Sequence, residues 1–279
     1  MREPSRDWAW RRQVAAAVVS LAFLLPLAFM VAGSLRRPGL PPQRSPELVP
    51  RDPSPEAYRQ AFDLVDLARY TLNSLLVAAL VVPLSVLVAS WAGFAMSRLP
   101  ERHARALLAG SLAALMVPLT ALLVPRFTIF RALGLTDSYW PLVASALVGF
   151  SPFYVLLFYW SFRRLPRELV DAARLEGLSP FRVWRRVAMP LVRPVTTAVA
   201  LLAFVFSWGN FLEPLVYVFD ERLFTLPLGL RSLAQLDRTN FPLLLAGSVV
   251  ATLPVLVAFL YLQRFFLHEG ARVRWVRRA

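Results

Sequence analysis

The sequence predicts an all-α, polytopic membrane protein with six transmembrane helices and a cytoplasmic helix-turn-helix segment. Three observations carry that expectation. Fifty-seven per cent of the 279 residues are hydrophobic, well above the usage of soluble domains. The apolar residues gather into six windows long enough to cross a hydrocarbon core, which takes about 20 helical residues. The arginines crowd into every second segment between those windows, as the positive-inside rule demands of short loops.

In chain order the windows run from about Val14 to Leu35, Thr71 to Ser97, Ala106 to Pro125, Tyr139 to Phe162, Pro194 to Phe219 and Leu243 to Phe266. The first follows the charged stretch "MREPSRDWAWRR", but its apolar run is longer than that of a cleaved signal peptide and reads as an uncleaved span. With the N-terminus placed in the cytoplasm, the inner segments hold 20 of the 31 arginines and seven acids, leaving +13 inside against +2 outside. The short turn "RLPERHAR" alone supplies three arginines. Both termini are therefore expected inside. The proline-rich "RRPGLPPQRSPELVPRDPSPEAYRQAF" reads as an extended external loop leading into a short amphipathic helix. Residues 224 to 240 read as a polar external segment whose "TLPLGL" is apolar enough to dip into the membrane. Prolines at 26, 83, 118, 152, 214 and 254 fall inside the windows, where each removes one backbone hydrogen bond and permits a kink.

Composition excludes several chemistries. The absence of cysteine removes thiol nucleophiles, disulfides and cysteine-ligated metals. Every basic side chain counted in the charge balance is arginine, so a lysine-bearing phosphate loop is impossible, and if nucleotide energy is used another subunit binds it. His103 and His268 stand far apart in polar segments, and neither an HExxH nor a GxSxG pattern occurs. A net charge of +14 raises nucleic acid as a partner, but the arginines sit between apolar runs, where membrane topology explains them.

The segment from Arg163 to Arg193 carries eight arginines, and inserting it in lipid would cost on the order of 20 kcal/mol. Its pattern nevertheless predicts structure. Pro166 suits a helix start, Leu169, Ala172, Ala173 and Glu176 recur at helical spacing, and Gly177 suits a left-handed helix end. Ser179 and Pro180 then open a second helix with Phe181, Trp184, Val187, Ala188 and Leu191 along one face, broken by Pro190 and Pro194. A hairpin this small has too little core to stand alone and must dock, on lipid headgroups or on a soluble partner.

"DAARLEG", twelve residues and then "P" resembles the EAAxxxG cytoplasmic motif of permease subunits in binding-protein-dependent ABC importers. The longer "LPRELVDAARLEGLSPFRVWRRVAMPLVRP" is most similar to the carbohydrate-uptake branch, and "TLNSLLVAALVVPLSVLVASWAGFAMSRL", "FSWGNFLEPLVY" and "LPVLVAFLYLQRFF" agree in order from about Tyr70 onward. The resemblance implies a division into residues 1–69 (cytoplasmic start, first span, external loop), an importer transmembrane domain over 70–266 with the coupling loop 163–193 inside it, and a cytoplasmic tail, 267–279. It implies a second homologous permease, two ATPase subunits that bind ATP and magnesium, and an extracytoplasmic solute-binding protein, with no cofactor or catalytic residue in this chain. Coupling to the ATPase falls on Glu168, Asp171, Ala172, Ala173, Gly177 and Pro190. Asp171 replaces the family's usual glutamate, which brings in Glu168 one turn earlier as an alternative contact, and the tail "HEGARVRWVRRA" departs from the family's glycine-rich ending.

Glu213 is the one acid inside a window, and such a group normally faces a cavity or a partner. With Trp208 and Asn210 it offers an aromatic plane and polar groups suited to sugar hydroxyls; hydrogen bonding between helices is the plainer alternative. The expected solute is a sugar, oligosaccharide or polyol, with glycerophosphodiesters as the nearest alternative. An ion-coupled secondary transporter, using Glu213 as an ion site, is the rival class. An intramembrane enzyme lacks the paired carboxylates or metal ligands it would need.

Overall fold

The computed structural model describes residues 6–42, 48–50, 52–147 and 152–276. Parts of four expectations lie outside those residues: Arg2 and Glu3 at the N-terminus, stretches 43–47 and 51 of the proline-rich loop, 148–151 within the fourth window, and 277–279 of the tail. All regular elements among the described residues are helical. The chain forms two compact units, Met1–Ala68 with Gly229–Leu253, and Arg69–Leu228 with Pro254–Ala279.

The first unit is built on α1 (Arg6–Ser34), α2 (Glu56–Leu64) and the start of α14 (Phe241–Val276). Pro26 lies inside α1 without ending it. The expected amphipathic helix is α2, whose Ala57 and Ala61 are buried. The fully buried Ser34 shares a 2.7 Å hydrogen bond with the Tyr58 hydroxyl, joining the end of α1 to α2. Asn240 accepts from the Gly39 N–H at 2.9 Å and Phe241 donates to Leu40 O at 3.1 Å, fixing the chain that leaves α1 to the start of α14. α14 runs ten residues past the expected end of the sixth span, because the tail holds no proline to stop it.

The second unit holds the site. α3 (Leu67–Arg98) runs almost its whole length there with Pro83 inside it, and α4 (Glu101–Leu115) and α5 (Leu119–Ala132) follow. The third window is therefore not one rod: α4 and α5 meet at 90°, where Pro118, with φ −68° and ψ 130°, precedes the first residue of α5 and cannot continue α4. The fourth window comprises α6 (Trp140–Leu147) and α7 (Pro152–Arg163). α8 (Arg167–Leu175), α9 (Pro180–Val183), a π-helical turn (Trp184–Ala188) and α10 (Met189–Leu191) form the hairpin. α11 (Arg193–Trp208) and α12 (Leu212–Tyr217) then share the fifth window, and α13 (Leu226–Leu236) begins the return toward α14. The segment read as polar and external is thus largely helical, and Leu226 and Leu228, from "TLPLGL", are buried. Asn73 donates to Arg222 O and Phe224 O, both at 2.9 Å, and Ser74 Oγ accepts from Leu226 N–H at 2.8 Å, so α3 holds the approach to α13.

Among the described residues three continuous helices, Trp10–Ser34, Leu67–Arg98 and Phe241–Gln263, are long and apolar enough to cross a bilayer, and bent pairs raise the number to as many as five. They carry large apolar side chains on the outside, among them Phe23, Leu72 and Val257, each more than 60% exposed. Apolar surface on this scale is what a lipid-facing helix presents and what a soluble domain must bury.

Candidate functional site

The hairpin is fixed from the residues upward. Pro166, extended at φ −53° and ψ 133°, precedes rather than opens α8, which carries Glu168 in its first turn and Arg174 in its last, each matching the helix dipole. Gly177 has φ +79°, the left-handed conformation expected of it. Its N–H donates to Arg174 O at 2.9 Å and that of Leu178 to Ala173 O at 3.1 Å, the paired bonds that close a helix C-terminus. Ser179 precedes α9 in extended conformation, but its hydroxyl makes no capping bond, so Pro180 alone supplies the start signal.

The buried face of α8 is not the row of residues that the helical spacing marked. Val170 and Ala173 are buried, while Leu169, Ala172 and Glu176 are exposed. In the second arm Val183, Trp184 and Ala188 are buried, whereas Phe181 and Leu191 are half-exposed. These inward residues join Phe94 of α3, Phe158 and Phe162 of α7 and Val199 of α11 in one core. Trp184 packs on Phe181 and Trp91 with ring centroids 5.5 and 5.6 Å apart. Pro190 does not break the second arm as expected: the π-helical turn before it absorbs the missing hydrogen bond, and the chain instead turns 87° between α10 and α11, at Val192. Of the coupling residues, Ala173 is turned into the core; Glu168, Asp171, Ala172, Gly177 and Pro190 are exposed.

The second constellation lies where α11 gives way to α12. The helix ends at Trp208, and Gly209, Asn210 and Phe211 form the break. Asn210 and Glu213 come together: the Asn210 amide donates to Glu213 Oε2 at 2.7 Å, and Glu213 N–H donates to Asn210 Oδ1 at 3.3 Å. Trp208 is 4% exposed and stacks on Phe204, one turn earlier in α11, at 5.7 Å. The residue that sequence reasoning missed is Arg126 of α5, assigned to an outer loop because the third window was closed at Pro125. Its guanidinium donates to Glu213 Oε1 at 2.7 Å, with the two side chains 20% and 8% exposed. The signal was present, since a lone acid in a span requires a partner and Arg126 directly follows the third window. A second tie, from the Tyr217 hydroxyl to Leu123 O at 3.3 Å, also joins α12 to α5. Beside the pair opens a cavity of about 460 Å³, walled by Leu119, Thr120 and Leu123 of α5, Val205 and Phe206 of α11, and the chain from Gly209 to Glu213. It is mainly apolar with a few convergent polar groups, the usual make-up of a small-molecule site.

Residues 82–274 match the family described as binding-protein-dependent transport system inner membrane component. This chain belongs to that family. It is a membrane-embedded transport permease, not an enzyme. The arabinooligosaccharides transport system permease protein AraQ of Bacillus subtilis (strain 168) is 31% identical over 257 residues, 90% of this chain and 89% of that protein. The diacetylchitobiose uptake system permease protein DasC of Streptomyces coelicolor is 27% identical, over 90% and 91% of the two chains. Among solved structures, a chain of a bacterial ABC transporter involved in the import of the acidic polysaccharide alginate superposes with a TM-score of 0.74 at 20% identity, covering 95% of this permease and all of that chain. At that identity the likeness establishes the fold.

Proposed function

We propose that this permease pairs with a second, homologous permease and two ATPase subunits to import a neutral sugar, oligosaccharide or polyol handed over by an external binding protein. In this reading the chain crosses the membrane six times with both ends in the cytoplasm. The fourth crossing is α6 with α7, the third is the bent α4–α5 pair, and the fifth is α11 with α12. The hairpin 163–193 lies on the cytoplasmic side and docks in a cleft of an ATPase, which binds the ATP and magnesium.

The observation that carries this reading is the two-sidedness of the hairpin. One side is locked into the core with α3, α7 and α11; the other leaves Leu175 90% exposed beside Glu168 and Ala172. An apolar side chain held out among charges, on a short helix that cannot stand alone, needs a partner surface. A displacement of that partner then moves the helices that share the hairpin's core, biasing two states of the permease. The solute class is supported by the relatives that transport arabinooligosaccharides and take up diacetylchitobiose. It is further supported by the cavity, whose acid is neutralised by Arg126 and whose described lining includes no arginine to hold a phosphodiester.

The test is co-purification of ATPase from membranes co-expressing all subunits, with uptake of radiolabelled oligosaccharide. Leu175→Asp is expected to abolish both while leaving the permease pair assembled. Undiminished co-purification would end the docking reading. Uptake driven by an ion gradient without ATPases would favour the secondary-transporter alternative.

A further inference from the structure

The end of α3 holds a cation whose hydrogen bonds are incomplete. Arg98 Nε and Nη2 are both shielded from solvent and find no acceptor among the described residues. These two nitrogens form one edge of the guanidinium, the edge that grips a carboxylate with two parallel bonds. The group is held in place by its stem and by the Phe94 ring, 5.3 Å from its central carbon. Phe94 belongs to the same core as Val170 and Ala173 of α8.

The helical repeat of α8 sorts its charged residues. Val170 and Ala173 face the core, and Glu168, Ala172 and Leu175 lie on the opposite side. Arg167, Asp171 and Arg174, at i, i+4 and i+7, make a separate stripe about a quarter-turn from the buried face. All three members of that stripe interact electrostatically with Arg98, and Asp171 is the attractive one. The hairpin thus offers Arg98 a single carboxylate, flanked by two cations that discourage any rival arginine from approaching it.

We propose that Asp171 is the counter-ion of Arg98, closing on its open edge when the hairpin is loaded, and that Glu168 is the carboxylate presented to the ATPase. The inference rests on the docking reading above and assigns its two acids different tasks. Asp171 is a positioning residue: it transmits force by tying α8 to the end of α3. Glu168 makes the outward contact.

The experiment uses the complete complex in proteoliposomes, reading ATP hydrolysis, ATPase co-purification and thermal stability of the permease pair. Arg98→Gln and Asp171→Asn are each expected to lower hydrolysis roughly tenfold, as loss of one charged hydrogen-bonded pair does, and the double variant to fall no further. The swap Arg98→Asp with Asp171→Arg is expected to recover activity that either single change loses. Additive losses in the neutral variants, with no recovery in the swap, would overturn the pairing. So would an Arg98→Gln defect that disappears in pure phosphatidylcholine vesicles, which would assign the open edge to an anionic lipid headgroup. Glu168→Gln is expected to lower ATPase co-purification with permease stability unchanged. If it and Leu175→Asp both leave co-purification intact while Arg98 and Asp171 remain coupled in stability, the docking reading fails and the pairing stands. The converse pattern removes the pairing alone.

Discussion

Replacing Arg126 by methionine removes the cation but keeps a similar stem, leaving Glu213 buried with the Asn210 amide as its remaining side-chain partner. Breaking a buried ion pair from one side costs about 3–5 kcal/mol, chiefly because the abandoned charge stays out of water. Arg126 retains 20% exposure against 8% for Glu213, so the pair is not fully desolvated and the lower end, about 3 kcal/mol, applies. At about 2–4 °C per kcal/mol for a chain of this size, the melting temperature should fall by roughly 6–12 °C. Replacing both partners, as Arg126→Met with Glu213→Gln, removes the orphan charge and should regain most of that loss. Thermal unfolding of the purified permease complex, followed by intrinsic fluorescence, measures all three variants. A drop under about 2 °C for Arg126→Met, or a double variant less stable than the single, would refute the claim that Glu213 is a buried charge dependent on Arg126.

Other expectations test separate features. A Cβ at Gly177 meets no atom within 4 Å, so the cost of Gly177→Ala is the left-handed backbone alone, about 1–2 kcal/mol; ATPase co-purification should weaken, and Gly177→Asn should restore much of it. Gly93→Ala places a Cβ 2.7 Å from Phe158 Cβ and 2.9 Å from Tyr159 N and Val155 O. Because two of those are backbone atoms of α7, α3 and α7 must separate, at about 1–3 kcal/mol, and trimming Phe158 should not rescue the melting temperature. Asp137, at φ 59°, accepts from Phe219 N–H at 2.9 Å and Asp220 N–H at 2.8 Å, and the Asp220 bond followed by the Phe219 bond holds its carboxyl below the usual range. A depressed carboxyl contributes stability above the ordinary aspartate value of about 3.9, lost as pH falls through its lowered value. The group is exposed, so a small acid-limb change in stability is expected, and Asp137→Asn should flatten it in a pH series of melts.

Much of the design was legible because membrane insertion imposes coarse rules. Long apolar windows marked α1, α3 and α14, and the arginine density of 163–193 marked the segment that folds as α8 to α10. Gly177 was legible because only glycine adopts φ +79° without strain. The inward face of α8 was not: Leu169 and Val170 are both apolar, and which one is buried depends on where Phe94 and Phe162 stand. The third window looked continuous because hydropathy does not register direction, whereas Pro118 and the chain around it turn α5 through a right angle. Arg126 was assigned to the loop because the window was closed at Pro125, one residue short of it, and Trp208, grouped with Asn210 and Glu213 by proximity in sequence, stacks on Phe204 one turn earlier in α11.

By itself, the sequence determined that this chain belongs in a membrane, that it has no lysine-bearing phosphate loop of its own, and that a short arginine-rich segment interrupts its apolar helices. Those properties depend on composition and local spacing, and each residue contributes almost independently of the rest. The tertiary structure alone decided which partner neutralises Glu213, which side of α8 faces out, and which acid stands near Arg98. These depend on contacts between residues such as 126 and 213, where a side chain's charge counts only once the fold sets its distance from another and removes the water between them.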